Sequence, residues 1–282
     1  MHPSATAYLE CPDGCRPPLE TRGAPSEDGS IQAGEIACPQ CGRSYPIADG
    51  IARVLPESLR AACAASDEEV ALKRGEMAAR DAQAAAYDRM WHLRAFGLAE
   101  VPLTMLFLGL EPGHIALEAG CGTGRMTARL ARRCARLVAV DFSIESLRAC
   151  ARKLRAAGVR NVDLLQADIC RLPLRAARFD RVVSCQVLEH VPTVASRGAA
   201  VAEFGRVARP GAVVTVSAYQ HSLLTRGAGP KSGMHEGGIP YFRFTSRELR
   251  DLLAEALTVE RLTGALGYVH LARCRRPDTG HD

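Results

Sequence analysis

Two short turns, CPDGC with Cys11 and Cys15 and CPQC with Cys38 and Cys41, set four thiols in two close pairs separated by 22 residues. Paired thiolates on facing turns match a tetrahedral zinc site, and four protein ligands leave no open position, so such a site is structural. Iron accepts the same ligands, and four cysteines alone do not choose the metal. Further along, Gly120-Cys121-Gly122-Thr123-Gly124 follows the apolar run Ile115–Ala119. Glycines there let the backbone turn sharply and approach a ligand closely. Asp141 ends the next apolar run, 21 residues after Gly120, where a carboxylate can accept hydrogen bonds from a ribose diol. A dinucleotide fingerprint needs G-x-G-x-x-G, and Arg125 stands where its third glycine belongs. Glu118, two residues before the loop, disfavours a pyrophosphate and favours a cationic group. Asp168, after the third strand-like run, completes an ordered set of acids.

These residues need elements to hold them. Apolar runs at Ile115–Ala119, Leu137–Asp141, Val162–Gln166, Arg181–Cys185 and Ala212–Ala218 alternate with helical patterns at Thr123–Arg133, Ser143–Ala157 and Ser196–Ala208. That alternation predicts a doubly wound α/β parallel sheet with helices on both faces. A capping box, Thr245 with Glu248, opens another helix. The runs Leu257–Leu262 and Tyr268–Cys274 follow with a connection short enough for an antiparallel pair. Residues 1–57 read as a small cysteine module with brief strands and an Asp49-Gly50 hairpin turn. It is too short for a core of its own, and a bound zinc supplies about 10 kcal/mol or more of folding energy. Residues 58–97, rich in alanine and charge, read as a helical linker or lid, and 98–282 as the α/β domain.

The 282 residues are 47% hydrophobic and 24% charged, which excludes disorder as the main state. The longest mostly apolar run, Val101–Leu110, is about half of the ~20 residues that span a bilayer. The N-terminus lacks a charged-then-apolar leader pattern, so a cytoplasmic protein with free or metal-bound thiols is expected. Residues 1–95 hold 10 Lys/Arg and 14 Asp/Glu, and residues 96–282 hold 26 and 17. The acidic module is therefore a poor phosphate clamp, and protein contact within the chain or with a partner suits it better.

Two resemblances rest on these residues. The run CPQCGRSYPIADGIARVLP, with the four cysteines, resembles the zinc-ribbon family that activates tRNA and protein methyltransferases. EAGCGTGR, VAVDFS, QADICRLPL and FDRVVSCQVLEHVP, over about residues 98–282, resemble class I S-adenosylmethionine-dependent methyltransferases with a seven-stranded Rossmann-like sheet and a C-terminal antiparallel strand. VLEHVP is most similar to the small-molecule branch that includes quinone-biosynthesis methyltransferases. FGRVARPGA departs from the usual pattern by lacking a Leu before RP and a second Gly after PG. The resemblance implies that Gly120, Gly122 and Gly124 line the methionine moiety, with Cys121 in the same loop. It implies that Asp141, beside Phe142, takes the ribose hydroxyls. Asp168 and Ile169 then flank the adenine, Gln186 sits beside the sulfonium, and Glu118 faces the cation.

Methyl transfer from a sulfonium is an in-line displacement in which the protein mainly positions the nucleophile. A phenolic or carbon-acid acceptor needs a base, for which His190 and His221 are the candidates, at the carboxyl ends of strands four and five. His235 and Tyr241 lie in the long Tyr219–Phe244 segment, which is expected to line the acceptor site opposite Tyr87, Met90 and Trp91. A small-molecule acceptor is the leading expectation. The alternatives are a tRNA or rRNA methyltransferase, motivated by an arginine face of Arg125, Arg129, Arg132, Arg133 and Arg136, and a non-catalytic cofactor-binding adaptor. Only 5% aromatic residues leave few platforms for stacking bases.

Overall fold

The computed structural model describes residues 1–15, 17–27, 29–60, 68–87, 91–222, 230–235, 237–265 and 267–278, with the side chains of 91–99 outside that description. Strands β1 (Glu20–Arg22), β2 (Gly34–Ala37), β3 (Ser44–Ala48) and β4 (Ile51–Arg53) form the cysteine module. Helices α1 (Glu57–Arg60), α2 (Glu68–Tyr87) and α3 (Trp91–Leu108) follow. The α/β region then runs β5 (Ile115–Ala119), α4 (Thr127–Ala131), β6 (Arg136–Asp141), α5 (Ile144–Ala156), β7 (Val162–Gln166), β8 (Phe179–Cys185), α6 (Val194–Val207) and β9 (Ala208–Tyr219). It closes with β10 (Ser232–Met234), β11 (Pro240–Phe242), α7 (Ser246–Ala254), β12 (Thr258–Ala265) and β13 (Val269–Arg275).

The expected sheet is present, with strand order β7-β6-β5-β8-β9-β13-β12 at its centre and end. The first five are parallel neighbours, and β13 runs antiparallel to both β9 and β12. Strands covered on both faces read as near-continuous apolar runs, and Leu117, Val138, Val140, Val182 and Val214 are buried along this sheet. Helix α5 starts where Ser143 accepts from the Ser146 amide, and it buries Leu147, Cys150, Ala151 and Leu154, the spacing of a helix face. The capping box forms at Thr245 and Glu248 and opens α7. Gly205 in α6 has a packing reason, since a Cβ there would stand 3.2 Å from the Ala256 carbonyl oxygen.

The cysteine module is not a separate body. Its strands continue the same sheet to eleven, through a parallel pairing of β4 with β7 that sets Ile51, Ala52 and Arg53 opposite Leu164, Leu165 and Gln166. Asp49 and Gly50, both with positive φ, make the β3–β4 turn. A second seam lies at Leu9, which bridges Leu174, while Glu10 donates its amide to Pro173 O at 3.0 Å.

Strand order reverses between β5 and β8, which opens a crevice at their carboxyl ends where open α/β sheets bind ligands. Helix α2 crosses this end and is tied to α5, because Asp81 accepts from Ser143 Oγ at 2.6 Å and from the Glu145 amide at 3.1 Å. Among the described residues, no helix is long and apolar enough to cross a membrane.

Candidate active site and metal centre

The crevice holds a cavity enclosing about 1070 Å³, part of it open to solvent. Its floor is the glycine loop. The Gly120 and Cys121 amides donate to Val140 O at 2.8 and 2.9 Å, folding the loop back onto β6. Gly120 has φ +82, and a Cβ there would lie 2.3 Å from Val187 Cγ2. Gly122 has φ +52 and open space above it. Gly124 lies away from the cavity lining. Its φ is +83, and a Cβ would lie 2.6 Å from Cys150 Sγ, so it serves the packing of the loop on α5. The helix after the loop begins only at Thr127, later than the expected Thr123, because turns occupy the intervening residues.

Glu118, Gly120, Cys121, Gly122, Asp141, Phe142, Asp168, Ile169 and Gln186 all border the cavity. Asp141 accepts the Gly122 amide on one oxygen at 2.8 Å and the Ser143 amide on the other at 2.9 Å. A carboxylate has about four acceptor positions, so two remain for a diol. Asp168 is used in the same way, with the Cys170 amide at 2.9 Å and Lys73 Nζ at 2.8 Å. Burial disfavours the Lys73 charge, but Asp168, together with Cys170 and Glu69, outweighs it and raises the amine above its ordinary range. Glu118 is 6% exposed, its Oε2 has no hydrogen-bond partner among the described residues, and burial pushes its carboxyl up to about 8 against the pull of Thr127 and Arg125. An orphaned buried carboxyl facing a cavity is a place for a cationic ligand group.

His190 also borders the cavity. Its Nδ1 stands 2.8 Å from Pro240 O. A carbonyl only accepts, so Nδ1 carries the proton and Nε2 keeps its lone pair as an acceptor. Burial and the neighbouring Arg80 hold the imidazole well below its usual titration range, so it is neutral near pH 7. Around it stand Tyr219 at 5.4 Å and His235 at 5.8 Å between ring centroids, with Tyr241 4.5 Å from His235. The Tyr219–Phe244 segment thus sets an aromatic cluster beside His190, partly through the β10–β11 hairpin, but none of its described residues borders the cavity, contrary to the expectation that the segment lines the acceptor site. Residues 223–229 and Glu236 fall outside the described residues, as do Met90 and the side chain of Trp91. Tyr87 does line the cavity, whereas His221 does not; its amide is spent on Phe244 O at 2.7 Å.

Several lining residues are absent from the sequence-based set. Lys73, Glu76, Arg80 and Gln83 come from the face of α2 that also carries the expected Tyr87, and their three- and four-residue spacing was legible as a helical stripe. Nothing in that spacing tells which surface the stripe covers. Burial pushes Glu76 up to about 7 against the pull of Arg80. Of the expected arginine face, Arg125 turns inward to Glu100 at 3.0 Å and Arg136 pairs with buried Asp163 at 3.6 Å. Arg129, Arg132 and Arg133 remain exposed.

The metal centre gathers Cys11, Cys15, Cys38 and Cys41, whose sulfurs lie within 4.8 Å of one another. Cys11 and Cys41 are 3.9 Å apart, and four sulfurs at ~2.3 Å around one zinc stand about 3.8 Å apart. The set fits a structural tetrahedral zinc. Behind it, the Tyr45 hydroxyl lies 3.3 Å from Cys11 Sγ and donates to Asp13 at 2.9 Å. Arg43 then joins Asp13 at 2.8 Å to Glu57 at 3.0 Å. Such outer partners orient metal ligands.

Comparison with known proteins agrees with both halves. Residues 117–216 match the family described as "Methyltransferase domain" and residues 7–50 the family described as "Trm112p-like protein". A demethylmenaquinone methyltransferase of Bacillus cereus is 29% identical over 145 residues, 50% of this chain and 56% of the relative. A tRNA (carboxymethyluridine(34)-5-O)-methyltransferase of Arabidopsis thaliana is 30% identical over 141 residues, 48% of this chain and 33% of the relative. The chain therefore spans about half or less of these curated relatives. Burkholderia thailandensis 1,6-didemethyltoxoflavin-N1-methyltransferase, solved with its acceptor and S-adenosylhomocysteine, superposes with a TM-score of 0.59 at 22% identity. The match covers 86% of this chain and 98% of that one, and it shows a shared fold.

Proposed function

We propose that this chain, a methyltransferase-family domain joined to a Trm112p-like ribbon, transfers a methyl group from S-adenosylmethionine to a small-molecule acceptor. The observation that carries the reading is the set of three acids on one cavity. Glu118 has an orphaned oxygen, and Asp141 and Asp168 keep free acceptor positions. Those groups suit the ammonium, the ribose diol and the adenine amino group in turn, and the glycine loop leaves room for the methionine moiety. When bound, the cofactor supplies an already activated methyl. The chain's own residues then hold the acceptor in line, exclude water and take up any proton it must lose. Neutral His190, with an unprotonated Nε2, suits that last task. The aromatic cluster of Tyr219, His235 and Tyr241, packed beside His190, favours a planar acceptor next to that ring.

A second reading is an RNA acceptor, favoured by the plant tRNA methyltransferase relative and by the ribbon family. The inward turn of Arg125 and Arg136 reduces the exposed basic face on which it drew. The ribbon also offers a surface for protein contact, and its first partner is the chain's own sheet edge.

The test uses the zinc-loaded full chain. Calorimetry with S-adenosylhomocysteine should give saturable binding. Labelled methyl from S-adenosylmethionine should then pass into a small-molecule fraction of a metabolite extract. Label entering only tRNA or rRNA would establish the second reading. Binding without transfer to either would leave a cofactor-binding adaptor, and absence of binding would refute the cofactor assignment.

A further inference from the structure

Glu100, on α3, is 1% exposed, yet three groups converge on its carboxylate. Ser217 Oγ donates to Oε1 at 2.5 Å, Gln186 Nε2 donates to Oε2 at 2.7 Å, and the Arg125 guanidinium stands 3.0 Å from Oε2. Two of these partners, Gln186 and Arg125, border the cofactor cavity. Gln186 also has φ +56, a left-handed backbone unusual for a residue with a side chain. Ser217 holds that backbone, because the Gln186 amide donates to Ser217 O at 3.0 Å and lies 3.2 Å from its Oγ. Ser217 thus fixes the main chain of Gln186, and Glu100 fixes its side chain.

A carboxylate beside arginine only accepts hydrogen bonds, so the amide end that meets Glu100 is the NH2. The carbonyl oxygen is then the end left for the cavity. We infer that Glu100 is a positioning residue. By capturing the NH2 of Gln186, it presents the Gln186 carbonyl oxygen to the cofactor's sulfur. The negative end of that dipole attracts a sulfonium and the polarised hydrogens of its methyl. It gains little from a neutral thioether. The arrangement therefore favours the methyl donor over its demethylated product and promotes product release. The inference rests on the S-adenosylmethionine reading above.

The experiment compares dissociation constants for S-adenosylmethionine and S-adenosylhomocysteine by calorimetry on the zinc-loaded full chain. In Glu100→Gln the amide of Gln186 is free to turn, and the preference for the sulfonium over the thioether should shrink by about three- to tenfold. A role confined to packing would weaken both ligands in parallel and leave the ratio unmoved, which overturns the inference. Glu100→Gln also disturbs Arg125, so Gln186→Leu provides a second measurement. It removes the carbonyl while leaving Glu100 with Arg125 and Ser217, and it should shrink the ratio similarly. An unchanged ratio in Gln186→Leu likewise overturns the inference. Wild-type protein that binds neither ligand would instead refute the cofactor reading on which it stands.

Discussion

At Glu118 the interior opposes a negative charge that the ligand needs. Its carboxyl, raised by burial to about 8 from an ordinary 4.5, keeps its proton at neutral pH in the ligand-free protein. The unfolded chain releases that proton above pH 4.5, so this group's contribution to stability declines as pH rises from 4.5 to about 8. A ligand ammonium favours the charged form. Binding S-adenosylhomocysteine should therefore release a proton below pH 8, and affinity should rise with pH by at most about tenfold per unit before levelling. Calorimetry in buffers of different ionisation heat measures the proton directly. Glu118→Gln should bind more weakly and lose the slope, and a wild-type affinity independent of pH would show that Glu118 does not meet the cation. His190 works in the opposite sense, since burial and Arg80 keep it neutral and ready to accept a proton. On an acceptor that must lose one, His190→Ala should lower kcat by about 10²–10⁴-fold while S-adenosylhomocysteine still binds. A kcat close to wild type would remove His190 from the proton path.

Among the elements, the glycine loop separates two reasons for glycine that look identical in the sequence. Gly120→Ala drives a methyl to 2.3 Å from Val187 Cγ2 at φ +82. A β-branched neighbour has few rotamers in which to withdraw, so strain and overpacking together should cost about 2–4 kcal/mol. Gly122→Ala meets open space and should cost only about 1 kcal/mol for its left-handed backbone. Urea unfolding of the two variants tests this, and equal losses would contradict the Val187 contact. The contrast also marks what local sequence reveals. Periodicity, the Ser143 and Thr245 caps and the apolar strands are local properties, and the strands Ile115–Ala119 and Val162–Gln166 stand where their residues predict. The turn to which Gly124 contributes was legible, but its role was not, because the decisive neighbour is Cys150 on another helix. Helix α2 shows the same limit. Its polar stripe was readable, while its place over the cavity depends on tertiary bonds such as Asp81 to Ser143 at 2.6 Å.

For the molecule as a whole, the decisive feature is the seam between β4 and β7. Only three residue pairs form it, and sequence patterning gave no reason to join them, since each strand alone is short and its partner is distant. Beside that seam Val54 donates to Gln166 O at 2.8 Å, and at the second seam Arg175 Nε donates to Leu9 O at 3.0 Å. One buried cluster contains Leu9, Ile36 and Tyr45 of the ribbon together with Leu165, Leu174 and Phe179 of the α/β region. The two halves therefore share a core, and free energy that holds the ribbon holds the sheet edge as well. Zinc supplies about 10 kcal/mol or more to such a module. Its removal by a chelator, or Cys38→Ser, should lower the melting temperature of the entire chain within one calorimetric transition. The effect should extend to the cofactor. Strand β7 leads directly to Asp168, and α2, which follows the ribbon, brings Lys73 to that same carboxylate at 2.8 Å. Chelation at a temperature where the chain stays folded should thus weaken S-adenosylhomocysteine binding. Two separate transitions, with only the smaller one moving on zinc loss and ligand affinity intact, would show that the shared core does not couple the halves.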